Sequence, residues 1–239
     1  MKYKEGLVSC IMPTFNRCDM LQRRFHELRM SSYDNWELIV VDDGSTDDTE
    51  EVVKTLKGDD DRIHYIKVSK NSGCVSIPRA IGIVQSQGEY IAPWDDDIFH
   101  SVDKLEFLVS ALSGTDSSLA YGDRFTKDQD DKVTYLTLKD WDPTGNPGWG
   151  VDGSQYIYRK DVYSKMPLVF CKRACDWHTA KEIWKTNPGF VQVTQPVAIY
   201  RWHGGNRSLD DTTKDKEIKL KDYEFYFENN DYTYNLVMT

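Results

Sequence analysis

A short, mostly apolar run from Leu7 to Met12, closed by Pro13, has the length and composition of a buried strand. A polar stretch from Asn16 to Asp19 follows. Leu21, Phe25 and Leu28 then recur at helical spacing, and Asp19 is placed to cap a helix running to Met30. The alternation repeats. Trp36 to Val41 predicts a strand that runs into Asp42-Asp43-Gly44-Ser45. Thr46 or Asp47 then caps a helix to about Lys57 with Val52, Val53 and Leu56 on its apolar stripe. Ile63 to Val68 predicts a third strand, and Arg79, Ala80, Ile83 and Val84 lie on a third helix. Tyr90 to Trp94 predicts a fourth strand ending at Asp95-Asp96-Asp97, before a helix from Val102 to Leu112. Four strands alternating with four helices imply a parallel sheet covered by helices on both faces. Such sheets bind ligands beyond the carboxyl ends of their strands. Here those ends carry Pro13-Thr14-Phe15, Asp42-Asp43 and the Asp95–Asp97 triplet.

The second half changes character. Short strands are expected at 119–121, 133–138 and 156–158, with an ordered loop or lid rich in Gly, Pro and Trp over 141–153. A helix is expected over 176–185 and one or two strands over 190–202, broken near Pro196. Gly204-Gly205-Asn206 reads as a loop, and 210–239 as a helix or tail packed on the domain.

Composition narrows the function classes. The chain has 239 residues, 39% hydrophobic and 29% charged, which suits one large α/β domain. A net charge of −9 is the opposite of what a phosphate-backbone binder carries. The five cysteines include no CxxC pair, so reduced thiols are expected. No signal-like segment or apolar run of membrane-spanning length occurs. The expected location is cytoplasmic, or peripheral to a membrane.

The ordered motifs point further. Val8-Ser9-Cys10-Ile11-Met12-Pro13-Thr14-Phe15-Asn16-Arg17, Trp36 through Asp47, Asn71-Ser72-Gly73 followed by Arg79, Gly88-Glu89-Tyr90-Ile91 and the Asp triplet appear in sequence. Together they resemble family 2 glycosyltransferases of the GT-A fold, closely over about 7–112 and more loosely to about 208. The resemblance implies a Rossmann-like, mostly parallel α/β domain over 1–208. Its nucleotide-binding half is 1–112, its acceptor-binding half 113–208, and 209–239 is a C-terminal helix or tail.

It also implies a chemistry. A sugar would move from a nucleotide-sugar, with UDP favoured, to an acceptor hydroxyl with inversion, assisted by Mn²⁺ or Mg²⁺. Pro13, Thr14, Phe15, Asp43, Arg79, Asp95 and Asp96 would bind the donor nucleotide, with Asp43 reading the base. Asp97 and His203 would hold the metal, and Arg207 would help neutralise the diphosphate in a closing loop. Asp176 would be the base that takes the acceptor proton. The family's acidic residue before it is replaced here by Cys175. Trp149, Asp152 and Trp177, with Trp141, are candidates for the acceptor side, since aromatic faces stack on sugar rings.

Acceptors in keeping with the sequence are a glycan, a lipid-linked glycan, a protein or a modified nucleobase. The alternatives are a non-catalytic nucleotide-sugar-binding module, or a nucleotidyltransferase on a related fold. The second would call for a Gly-rich phosphate loop after the first strand, and Pro13 to Arg17 contains no glycine.

Overall fold

The computed structural model describes residues 3–128, 130, 132–137, 151–163, 165, 175–201, 223–227 and 233–238. The alternation expected from the sequence is present: β1 (Lys4–Thr14), α1 (Cys18–Arg29), β2 (Trp36–Asp42), α2 (Thr49–Lys57), β3 (Ile63–Val68), α3 (Ser76–Gln85), β4 (Gly88–Pro93). After the acidic triplet come a two-residue strand β5 (Phe99–His100) and α4 (Lys104–Ser113). The second half contributes β6 (Leu119–Lys127), β7 (Val133–Leu136), a 3-10 turn at Gly153–Gln155, β8 (Tyr156–Arg159), α5 (Lys160–Tyr163), α6 (Cys175–Thr186) and β9 (Phe190–Arg201).

With β10 (Tyr223–Phe227) and β11 (Thr233–Met238), one sheet runs through the molecule in the order β10-β11-β3-β2-β1-β4-β8-β6-β9-β5, with β7 on β6. Strands β3, β2, β1 and β4 pair in parallel. Strand β8 enters antiparallel between β4 and β6, and β6 and β9 are parallel again. The result is an α/β architecture around a mostly parallel sheet.

Burial of both faces explains why the first strands read as near-continuous apolar runs. Val8, Cys10 and Met12 of β1 pack with Leu21, Phe25 and Leu28 of α1 and Leu105 and Leu108 of α4. Ile11 points the other way, toward Ile77, Ala80 and Ile81 of α3 and Ala180 and Ile183 of α6. The period of two along β1 thus feeds two separate cores.

Differences from the sequence reading have local causes. Asp19 lies inside the first turn of α1, and the N-cap residue Arg17 makes no side-chain cap; the Cys18 N–H donates to Asp47 Oδ2 at 3.3 Å. Asp47 accepts the Thr49 N–H at 3.1 Å just ahead of α2. Strand β9 is a single strand, but Gly122 pairs with Val193 and Asp123 with Pro196, so two residues bulge beside a proline that has no N–H to give the ladder. The C-terminal stretch, expected as a helix or tail, includes two strands, β10 (Tyr223–Phe227) and β11 (Thr233–Met238). β11 extends the sheet in parallel beside β3. Among the described residues Cys10, Cys18, Cys74 and Cys175 form no disulfide. Among the described residues no helix is long and apolar enough to cross a membrane.

Candidate active site

The strand register brings the motif-bearing ends to one edge. Thr14 pairs with Asp42, and Ile11 with Pro93. The Asp43 N–H donates to Thr14 O, and the Trp94 N–H to Ile11 O, both at 2.9 Å. Asn16 takes a left-handed φ of 51°, which asparagine tolerates. Its N–H donates to Ser45 Oγ, and its Oδ1 accepts the Thr46 N–H, both at 2.8 Å. These bonds tie the loop after β1 to the turn after β2. Gly44 has φ 77°, and a Cβ there would stand 2.7 Å from Asn71 N, so glycine is what lets the loop after β3 close onto this turn.

That loop organises Asp43. Its carboxylate accepts from Ser72 Oγ at 2.8 Å, the Ser72 N–H at 3.1 Å and Asn71 Nδ2 at 3.2 Å. The neighbouring Asp42 is fully buried and accepts from the Ser45 N–H (2.8 Å) and the Tyr65 hydroxyl (2.6 Å), a bracing role for the turn. Phe15 is half-buried above the end of β1.

The three aspartates divide into different environments. Asp96 is 5% exposed. It accepts from Thr14 Oγ1 at 2.8 Å and from Arg17 Nη1 at 2.6 Å. Both carboxylate oxygens are engaged within the protein and brace the loop, with the Thr14 side chain turned inward beside them. Burial pushes the Asp96 carboxyl up to about 6, against the attraction of Arg17 and with the repulsion of Asp97. The same Arg17 Nη1 reaches Asp97 Oδ2 at 2.9 Å. Below the loop, the Trp94 ring stacks on His100 with centroids 3.9 Å apart. Lys104, wholly buried and pushed down to about 8 by that burial, donates to Pro93 O at 3.2 Å.

Asp95 faces the opposite side. Arg79 Nη2 lies 2.6 Å from Asp95 Oδ1, and Arg79 Nη1 donates to Asp176 Oδ1. The start of α6 is thereby joined to the end of β4. Asp95, Asp152 and Asp176 present carboxylate oxygens all within 4.8 Å of one another. Asp152 heads the 3-10 turn, accepting the Ser154 N–H at 2.9 Å, and Arg124 Nη1 stands 3.7 Å from its Oδ2. Burial raises the Asp176 carboxyl to about 6. The Arg79 charge opposes the shift, and Asp95 and Asp152 add to it.

Cys175, beside Asp176, is buried and receives a hydrogen bond from Ser76 Oγ at 3.0 Å. That bond joins the start of α6 to the start of α3. Trp177 is 7% exposed, with Lys181 Nζ 4.7 Å from its ring centroid. Trp141, Trp149, His203 and Arg207 lie outside the described residues. Arg17, Arg124 and Gly153 join the site only through the fold. Arg17 stood in the first motif, but its partners are about 80 residues away along the chain.

Comparison with known proteins gives the family and the fold. The profile described as glycosyl transferase family 2 matches residues 9–173, and the chain belongs to that family. Glycosyltransferase GlyG of Streptococcus pneumoniae is 27% identical over 218 residues, 84% of this chain and 72% of the relative. The first curated relatives are matched over 39% and 56% of their own lengths, so this chain spans part of those proteins. Staphylococcus aureus TarS 1–349, solved with UDP, superposes with a TM-score of 0.69 at 18% identity, over 84% of this chain and 61% of TarS. The mannosyltransferase PcManGT of Pyrobaculum calidifontis, solved with GDP-Man and Mn²⁺, gives 0.63 at 18% identity, over 84% and 57%.

Proposed function

We propose that this chain transfers a sugar from a nucleotide-sugar, with UDP as the carrier, to an acceptor hydroxyl with inversion at the anomeric carbon. The observation that carries the reading is the convergence of Asp176 with Asp95 and Asp152, carboxylate oxygens within 4.8 Å, at the strand edge where Asp43 and Phe15 also lie. A proton acceptor therefore sits beside the segment that would hold the donor.

In this reading Phe15 packs on the nucleobase and Asp43 accepts its N–H. Asn71 and Ser72 orient the Asp43 carboxylate. Asp176 accepts the proton of the acceptor hydroxyl as its oxygen attacks the anomeric carbon. The bond from that carbon to the diphosphate breaks, and its electron pair leaves with the diphosphate. Raising the Asp176 carboxyl toward neutrality suits a general base.

The donor set fits a hard divalent cation. Asp95, Asp96, Asp97, Asp152 and Asp176 are faced by Arg17, Arg79 and Arg124, which leaves two negative charges uncompensated within this group. Asp97, with His203, would hold Mn²⁺ or Mg²⁺, which as a Lewis acid neutralises the departing diphosphate. Trp149 and Asp152 are proposed to face the acceptor, a glycan, lipid-linked glycan, protein or modified nucleobase, and Arg207 the diphosphate. The proposed location is the cytoplasm, or the periphery of a membrane.

A panel of nucleotide sugars with Mn²⁺ or Mg²⁺ tests this. The cognate donor at a hundredfold excess over its Kd should raise Tm by about 5–10 °C and be slowly hydrolysed. A panel in which no nucleotide sugar shifts Tm or is consumed would sink the reading.

A further inference from the structure

Arg79 is the one described side chain that holds a donor-side carboxylate and the proposed base at once. Its two terminal nitrogens go to Asp95 Oδ1 and Asp176 Oδ1. Its Nε is buried with no hydrogen-bond partner, so the carboxylates set the orientation of the fork. Asp176 has little room to turn away. A Cβ on Gly153 would stand 2.7 Å from Asp176 Oδ1 and 3.0 Å from its Cγ, so the carboxylate is packed against that backbone. The Gly153 N–H also donates to it.

We propose that Arg79 is an interlock between the two half-sites: without donor it occupies the Asp176 oxygen that must take the acceptor proton, and a diphosphate arriving beside Asp95 draws Arg79 away and frees that oxygen. This rests on the assignment of Asp176 as the base and of the Asp95 edge as the donor site.

The physical basis is competition for one fork. A guanidinium binds phosphate oxygens in two-point fashion as readily as it binds carboxylates. A diphosphate at this edge adds negative charge next to Asp95, and Arg79 is the cation already in reach. Once Arg79 turns to the phosphate, Asp176 keeps its position through Gly153 while its oxygen becomes available to a hydroxyl. Donor occupancy thereby precedes proton abstraction. Arg79 acts through Asp176, so it is a positioning residue for the base.

Linkage makes this measurable. If diphosphate binding must break the Arg79–Asp176 pair, removing the Asp176 charge strengthens that binding, and the gain passes through Arg79. In calorimetry with UDP and Mn²⁺ on the full chain, Asp176→Asn should bind about tenfold tighter than the unaltered protein. The same change made on Arg79→Met, or on Arg79→Gln should the first variant not fold, should give no comparable gain. Equal gains in both backgrounds would reduce the effect to bulk charge and overturn the interlock, as would an Asp176→Asn variant that binds UDP no better. A crystal structure of the full chain with UDP and Mn²⁺ gives an independent readout. Arg79 on a phosphate oxygen and off Asp176 supports the interlock, whereas a bound diphosphate with the Arg79–Asp176 pair intact overturns it and leaves the donor assignment standing. Failure of both UDP and GDP to bind would remove the donor assignment and the interlock together.

Discussion

Gly153 lies directly against Asp176, close enough that a single added methyl group would meet the carboxylate oxygen at 2.7 Å. The two residues come from different elements, the turn before β8 and the first turn of α6. Gly153→Ala should therefore push the proposed base out of line. Misplacement by about 1 Å can cost a hundredfold in rate. We expect kcat to fall about 10–100-fold with UDP affinity retained. A variant with full kcat would show that Asp176 need not hold this position.

Asp176→Asn should lower kcat by about 10²–10⁴-fold, the usual worth of a general base. Donor binding should survive. Loss of binding and transfer in equal measure would reassign Asp176 to a structural role.

The pH profile should carry the Asp176 signature. A base works when deprotonated, and its carboxyl stands at about 6 because burial disfavours the charged form. Donor-limited kcat/KM should rise with pH up to about 6 and level off above it. Asp152 raises the Asp176 carboxyl further, so Asp152→Asn should move the rising limb to lower pH. A limb that stays put in this variant would argue against the carboxylate cluster as its origin.

Metal dependence separates the two sets of acids. EDTA should abolish transfer, and Mn²⁺ should restore it. Asp97→Ala should lose at least about a hundredfold in transfer and lose Mn²⁺-dependent UDP binding. Asp152→Asn should keep that binding. The opposite pattern would move the cation from Asp97 to the Asp95–Asp152–Asp176 group.

Gly44→Ala should destabilise the protein by about 1–3 kcal/mol, because its φ of 77° is left-handed and its Cβ would press on the Asn71 backbone. Urea unfolding reads this directly. UDP affinity should fall with it, since Asn71 and Ser72 orient Asp43. Unchanged affinity would separate that loop from the nucleobase contact.

Much of the fold was legible because its signals are local. The apolar runs at β1 to β4 and the helical stripes between them follow from periodicity, and right-handed parallel pairing then puts their motif-bearing ends on one edge. The acidic triplet could be located this way, but its division of labour could not. Three adjacent aspartates look equivalent along the chain. In the fold Asp96 is sealed against Thr14 and Arg17, Asp97 shares Arg17, and Asp95 turns to Arg79. The bulge in β9 and the insertion of β8 between β4 and β6 depend on pairings between distant segments, which no local window contains.

The sequence by itself determined the alternating architecture and the edge where polar groups collect, and its family resemblance pointed to Asp176 as the residue to examine. Only the tertiary structure decided that Asp176 meets Asp95 and Asp152, that Arg79 holds it, and that Gly153 leaves room for it. The reason is physical. Strand and helix periodicity is written in neighbouring residues, whereas a carboxylate's partners are set by packing between elements whose spacing in the chain carries no such signal.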